Sequence, residues 1–425
     1  MRVLMLGSTG PAVQLLQLAL NRAGYGSLET DGFFGSSTKE ALVRFQSSMG
    51  LQADAIVGPL THRQLLPWYT GYRVYPVQRG DSIWSIAGRF GSSEDAIRTA
   101  NPGLVPANLP VGTQLIVPLG FDVVSTNIAY SSALVGYCVR GLAARYPFIA
   151  TGEIGKSVMG KPLWTMTLGS GANRVAYNAS HHANEWITTP LLLRFTEELA
   201  SAYAKGRDIF GTDAGEILDY ATLCVIPAVN PDGIDLVTGD LTCGDFYKAA
   251  RSIGANYPQF PFPEGWKANI RGVDLNLQYP AGWEQARENK FAQGIVSPAP
   301  ADFVGTTPLS APESRAMYAF TLAYDPALIL AYHTQGEVIY WRFLDFDPTG
   351  SRQIAQVFSE VSGYAVEETP FASGFAGYKD WFVQDFNRPG YTIEAGLGIN
   401  PLPIADFNAI YEKNLGILTL GLLVT

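Results

Sequence analysis

The sequence predicts an α/β protein: one sheet with helices on both of its faces, preceded by a small helical region and a short strand–helix–helix–strand region. Three observations predict it. Over residues 121–425, short apolar runs alternate with stretches of helical period, the pattern of strands and helices following one another. Residues 1–67 carry two helix-period patterns, and residues 72–119 begin and end on strand-like runs that flank two short helical patterns. At 425 residues the chain is too long for one typical domain, so two or three are expected.

Composition narrows the class. Hydrophobic residues make up 47% and charged residues 16%, as in a packed globular protein rather than a disordered one. The net charge of -9 and the lack of any basic run argue against a nucleic-acid partner. Cys138, Cys224 and Cys243 are too few and too scattered for a disulfide framework or a cysteine-type metal site. In "MRVLMLGSTG" the apolar run ends at Gly7, so no signal peptide is expected. The late stretch "LGILTLGLLVT" is too short to span a bilayer and reads as a buried terminal helix. No membrane span is expected.

In the first region, "AVQLLQLALNRAG" puts Val13, Leu16 and Leu20 on one face and ends at Gly24, a C-cap. "STKEALVRFQSSMG" opens on a capping Ser37 or Thr38 and ends at Gly50. Two related turns, "DGFFGSST" and "DAIVGPLT", form a small internal repeat. In each, Gly permits a tight turn and Thr is expected to cap the next helix. "GSTGPAVQLLQLAL", "DGFFGSSTKEALVRFQ" and "IVGPLT" together resemble the three-helix bacterial peptidoglycan-binding domain. The resemblance spans residues 1–68; Ala55 departs from it, standing where the second turn would usually carry Gly.

In the second region, "YRVYPVQ" alternates weakly as a strand. "GDSIWSIAGRFG" has Asp81 or Ser82 as N-cap, Ile83, Ile86 and Phe90 to bury, and Gly91 to stop it. "SSEDAIRTANPG" is a second helix that ends before Pro102, and "GTQLIVP" is the closing strand. "VQRGDSIWSIAGRFG", "ANPGL" and "LPVGTQLIVP" resemble a LysM module, over residues 71–120. That resemblance implies binding of N-acetylglucosamine-containing glycan between two loops, with Gly80, Asp81, Ser82, Asn101, Leu104 and Asn108 as the candidate contacts. The same residues also serve as caps and turns.

In the third region, "IAYSSALVGYCVRGLAARYP" is an amphipathic helix. "KPLWTMTLG", "RVAYNAS", "ATLCVIPAV", "ALILAYHT" and "GYTIEAG" suit buried strands, with helices "TTPLLLRFTEELASAYA" and "SAPESRAMYAFTLAY" between them. The chain has four histidines, and two stand side by side in "HHANEW", residues 181–186, with a glutamate three and four positions on. Such a cluster straddles a strand end and a first helical turn, where ligands gather in open α/β sheets. Alone it reads equally as the start of an ordinary helix. A hydrolytic zinc takes three protein ligands and keeps a position for water. Of the other two histidines, His62 lies in the helical region, and His333 ends the apolar run "ALILAY". His333 is the natural third candidate.

"HHANEW", "VNPDGID", "GVDLN", "APESRA" and "YTIEAG" occur in that order. Together they resemble the carboxypeptidase A-type zinc metallopeptidases over residues 123–425. The resemblance implies a mixed sheet, one zinc ion held by His182, Glu185 and His333, and Glu394 as the catalytic carboxylate. His181 becomes a supporting or packing residue. The family's oxyanion-stabilising arginine aligns in "GWKANIRGVDLN" with Lys267, and Arg271 is the alternative.

Simple carboxypeptidases of this family follow the "DLN" asparagine with an arginine that grips the substrate's terminal carboxylate. Here Asn276 is followed by Leu277, which has no charge to offer. The family's substrate tyrosine has only a shifted counterpart, Tyr378 in "GYKDW". Lys267, Arg271 and Arg388 in "FNRPGY" are candidate partners for substrate carboxylates. With the two glycan-type modules, the arrangement is similar to bacterial γ-D-glutamyl-L-diamino acid endopeptidases. Those cut between the γ-carbonyl of D-glutamate and meso-diaminopimelate in peptidoglycan stem peptides. Glycan strands and stem peptides are the expected partners, at the cell wall, in a spore, outside the cell or in the cytoplasm. The alternatives are a metallocarboxypeptidase acting on ordinary peptides and a wall-binding protein without activity.

Overall fold

A buried glutamine organises each half of the N-terminal repeat. In α1 (Pro11–Arg22), Gln17 Nε2 donates to Asp31, to the Phe33 carbonyl and to Thr38, while its Oε1 accepts the Gly32 N–H at 2.9 Å. In α2 (Ser36–Ser48), Gln46 does the same for Asp54, the Ile56 carbonyl, Thr61 and the Ala55 N–H. The two threonines are therefore not caps: α2 and α3 (Pro59–Thr70) follow Gly35 and Gly58 without a side-chain cap. A buried amide with all its bonds made holds each turn more firmly than an exposed hydroxyl would. Val13, Leu16 and Leu20 are fully buried in α1, and Gly24 lies just past its end at φ +80°.

The structure is a computed structural model that describes residues 3–105 and 109–424. It divides into two compact units, Met1–Ala129 with Ala133–Ala150, and Tyr130–Ser132 with Thr151–Thr425. The first holds α1 to α3 and then β1 (Tyr72–Pro76), α4 (Ile83–Phe90), α5 (Glu94–Ala100) and β2 (Gln114–Pro118), with β1 and β2 antiparallel. Ser82 caps α4 through a reciprocal box with Ser85. Ile83 and Ile86 enter the small core, whereas Phe90 is only half-buried against it. Most of α6 (Ser132–Arg145) belongs to this unit, and Arg145 donates to the carbonyls of Gly71, Leu119 and Phe121.

An eight-stranded mixed sheet is built from β3 (Ala150–Lys156), β4 (Pro162–Leu168), β5 (Asn173–Ala179), β8 (Ala221–Ile226), β9 (Leu328–His333), β10 (Val338–Tyr340), β11 (Ala365–Glu367) and β12 (Gly390–Glu394). A two-residue pair, β6 (Asp208–Ile209) and β7 (Thr212–Asp213), stands apart from it. The sheet order is β11-β10-β12-β9-β5-β8-β4-β3, with β12, β9, β5 and β8 mutually parallel. The helices are α7 (Thr188–Lys205), α8 (Ala214–Tyr220), α9 (Pro231–Thr238), α10 (Gly244–Ala255), α11 (Trp283–Ala292), α12 (Pro312–Tyr324), α13 (Ser351–Ser362), α14 (Tyr378–Phe386) and α15 (Phe407–Leu420).

Alternation along β5 and β9 assigns the two faces. Ala176, Ile329 and Ala331 pack with Met317 of α12 and Trp381 and Phe382 of α14. On the other face Tyr177 meets Phe195 of α7 and donates to the Leu418 carbonyl of α15. Covered on both sides, the central strands are mostly apolar, with Asn178 in β5 and the strand-end His333 and Glu394 among the polar exceptions toward their carboxyl ends. β10 and β11 have three residues each and β3 is mostly exposed, so none of the three carries the apolar run that marks the central strands.

Gly32 and Ala55 occupy equivalent turns at φ +75° and +59°. A Cβ on Gly32 would lie 3.1 Å from Gln14 Cγ and 3.2 Å from the Gly10 carbonyl oxygen. Gly32→Ala is expected to cost about 1–2 kcal/mol, and Ala55→Gly to stabilise by up to about 1 kcal/mol. Hydrogen-exchange protection of the α1 and α2 amides in the full chain measures both.

Candidate metal centre

Three neighbouring parallel strands end at one place. His333 is the last residue of β9 and Glu394 the last of β12, and the two are paired in register. β5, on the other side of β9, ends at Ala179 beside Tyr332 and hands the chain to His181 and His182. Ser180, between strand and histidines, has φ +55°. Bonds to the hydroxyls of Thr188 and Thr189 hold it there, an over-determined turn of the kind that positions functional groups. A short 3-10 turn, Ala183–Glu185, then brings Glu185 back over His182.

The donor atoms converge. His182 Nδ1 lies 2.9 Å from Glu185 Oε1, His333 Nδ1 lies 2.8 Å from Glu185 Oε2, and the two Nδ1 atoms are 3.2 Å apart. All three residues are buried, and one ligand atom from each lies within 4.8 Å of the others. Two imidazole nitrogens and a carboxylate turned on one point form a donor set that fits zinc. The other nitrogen of His182 is 3.1 Å from Asp274 Oδ1, the carboxylate–histidine arrangement that orients metal ligands. Asp274 also accepts the N–H groups of Asn276 and Asp302.

Burial opposes every charge here, and the neighbours overrule it. Desolvation pulls His182 down, yet the carboxylates of Glu185 and Asp274 hold it up, at about 9. Burial pushes Glu185 and Asp274 upward, but the His182 and Lys267 charges hold both below the ordinary carboxylate range. Glu394 goes the other way: burial raises it, Glu185 adds to that, and the nearby cations do not cancel the rise. His181 is buried and pushed well down by desolvation. It bonds Tyr279 Oη at 3.1 Å and stacks on Tyr378 and His333, as a packing residue does.

A cleft of about 230 Å³ opens over this cluster, lined by His182, Lys267, Asn276, Leu277 and Glu394 among others. Lys267 Nζ is 3.4 Å from Glu185 Oε1. Arg271 is exposed on the following turn, and the cleft lining does not include it. Arg388 lies beyond the opposite end of β12 and pairs with Asp325 at 2.7 Å, so it is not brought to the cleft. Tyr378 is fully buried with its hydroxyl on Thr321, while its N–H donates to Asn276 Oδ1. It supports the wall rather than lining it.

Four residues escape the sequence reading: Asp274, which sits inside the quoted "GVDLN", and the wall residues Lys290, Asp302 and Lys379. Nothing local marks them: Asp274 gains its partner His182 across 92 residues, and Lys290, Asp302 and Lys379 stand out only because the fold sets them on the cleft wall. In the first unit, Asp81 is engaged by Tyr75, Gln78 and Arg89, and Ser82 is the α4 cap. Asn101 ties the Ile97 carbonyl to both backbone groups of Ile116. Leu104 packs on the small core and Gly80 is exposed at φ +88°. Asn108 lies outside the described residues.

Residues 137–397 match the zinc carboxypeptidase family, 9–65 a peptidoglycan binding domain and 75–118 a LysM domain. The γ-D-glutamyl-L-diamino acid endopeptidase 1 of Lysinibacillus sphaericus is 43% identical over 293 residues, 69% of this chain and 72% of that protein. The zinc D-Ala-D-Ala carboxypeptidase of Streptomyces albus G is 48% identical over 63 residues, 14% of this chain and 24% of that one. Bovine thrombin-activatable fibrinolysis inhibitor, solved with a tick carboxypeptidase inhibitor, superposes with a TM-score of 0.53 at 17% identity. The match covers 70% of this chain and 97% of that one and reports shared fold alone.

Asp274→Asn is expected to weaken zinc affinity about 10–100-fold, read by competition with a chelator. In the metal-free protein His182 keeps its proton up to a pH of about 9, and metal binding must displace it. Zinc affinity is therefore expected to rise about tenfold per pH unit between roughly pH 7 and 9 and to flatten above. Calorimetry in buffers of different ionisation enthalpy counts the proton released.

Proposed function

The chain belongs to the zinc carboxypeptidase family, and we propose that it hydrolyses the bond between the γ-carbonyl of D-glutamate and meso-diaminopimelate in peptidoglycan stem peptides. The observation that carries this reading is Leu277. It lines the cleft directly after Asn276, at the position where a simple carboxypeptidase needs a cation for the terminal carboxylate. An enzyme that does not grip a chain end there is suited to another class of amide. The 43% identity to a γ-D-glutamyl-L-diamino acid endopeptidase supports the same choice, as do the peptidoglycan-type and LysM-type modules ahead of the catalytic domain.

His182, Glu185 and His333 hold one zinc ion in this reading. When bound there, zinc supplies Lewis acidity to the scissile carbonyl and acidifies water. Glu394 takes the proton of the attacking water and later delivers it to the departing amine. Its raised pKa brings it closer to the value a group needs to both accept and return a proton near neutrality. Lys267 supplies positive charge where the carbonyl oxygen becomes an oxyanion. Asn276 orients the substrate. The module at residues 1–68 and the one at 71–120 keep the catalytic domain, 123–425, on wall glycan, which raises the local concentration of stem peptide without new catalytic contacts. The cell wall is the proposed site of action.

Glu394→Gln is expected to keep its zinc and to lose about 10²–10⁴-fold in kcat on L-Ala-γ-D-Glu-meso-diaminopimelate. Mass analysis of the products identifies the bond. Release of C-terminal amino acids from ordinary α-linked peptides by the wild type, with the γ-bond left intact, would overturn this reading.

A further inference from the structure

The cleft holds more charge than hydrolysis uses. Besides His182, Lys267, Asp274 and Glu394, its wall carries Lys290, Asp302, Lys379 and Asp380. A substrate carboxylate that cannot pair at Leu277 must find its cation among these lysines. Lys267 is committed to Glu185 and the reacting carbonyl. Lys379 is 4% exposed, and its Nζ donates to the Arg342 carbonyl and to Thr369 Oγ1 and is ion-paired with Asp380 Oδ1. Lys290 differs. Its side chain is 10% exposed, and among the described residues its Nζ pairs with Asp302 Oδ1 alone, at 2.6 Å. A buried ammonium with a single partner has donor capacity left for a ligand. Asp302 is much more open, at 36%, so its carboxylate can accept from a second group.

We propose that the Lys290–Asp302 pair reads the zwitterionic distal head of the diamino acid on the leaving side. Lys290 takes the head's carboxylate and Asp302 its ammonium. This rests on the function proposed above and adds to it the residues that would distinguish a diamino acid with a distal carboxylate, as in meso-diaminopimelate, from one without it. Lysine ends in an ammonium alone. It would leave the Lys290 donors unmet and set two cations together in a confined space, which is how a polar site rejects a near-isostere.

The test compares kcat/KM on L-Ala-γ-D-Glu-meso-diaminopimelate and L-Ala-γ-D-Glu-L-Lys for wild type, Lys290→Met and Asp302→Asn, with zinc content measured for each. The wild type is expected to favour the diaminopimelate peptide by about 10²-fold or more. Lys290→Met is expected to bring the two substrates within about threefold by losing the first one, with zinc retained. Asp302→Asn is expected to weaken the same preference, a ratio that loss of folded protein would not move. A Lys290→Met enzyme that keeps the full preference overturns the inference and leaves the proposed bond standing. A wild type that cuts neither γ-linked peptide overturns both.

Discussion

The parallel pairing of β5, β9 and β12 is the constraint on which the site depends. Parallel neighbours present their carboxyl ends on one side of the sheet. Glu394 is paired with His333, and Ala179 with Tyr332, so the register itself decides that these groups meet. A slip of one residue would turn every side chain to the opposite face. What resists the slip is burial on both faces, with Tyr177 on one side and Ala176 on the other each packed against helices. Each large apolar side chain buried there contributes about 1.5–3 kcal/mol. The core thereby holds a polar cluster that would not assemble unaided.

That cluster is costly until it is complete. Each of its charges is desolvated, and each stays charged through a neighbour: Glu185 through His182 and Lys267, His182 through Glu185 and Asp274. Asp274 is the outer anchor, fixed in turn by two backbone N–H groups. Asn230 ties the carbonyls of His181 and Ala268 together, and Glu313 accepts from Asn269 in the loop that carries Lys267. These tethers keep two loops, 180–186 and 266–277, from relaxing away from each other. Preorganisation of this kind is what lets fixed charges act on a transition state.

The cleft wall is a second layer of polar specification. Leu277 removes a cation from one place, while Lys290 with Asp302 and Lys379 with Asp380 add paired charges elsewhere on the wall. Lys379 is occupied by protein partners, Arg342 and Thr369 among them, whereas the Lys290–Asp302 pair, with Asp302 36% exposed, is the one proposed above to keep capacity for a ligand. The N-terminal repeat shows the opposite use of buried polarity. Gln17 and Gln46 spend all their bonds inside the protein to hold two turns.

Periodicity in the sequence by itself indicated the central strands, the helices α7 and α12 beside them and the order of the three regions, because burial on both faces writes a mostly apolar run into the chain, whereas helices such as α10, α11, α13 and α14 were not read from it. For the candidate metal centre, residue scarcity went part of the way: with four histidines in the chain, a strand-end His333 had few rivals as a third ligand, while the choice of His182 and Glu185 came from the resemblance to zinc metallopeptidases. Short edge strands such as β10 and β11 were not legible, since three residues do not make a pattern. Tertiary structure alone decided the rest. Thr38 became an acceptor for Gln17 rather than a cap. Arg388 went to Asp325 at the far end of its strand, and Tyr378 turned into the core. Asp274 and Lys290 acquired their importance only from partners that the fold brings to them, His182 across 92 residues and Asp302 from a neighbouring loop. The physical reason is common to all of these: apolar burial is encoded locally by spacing, whereas a polar side chain's role is set by whichever distant group the fold leaves beside it.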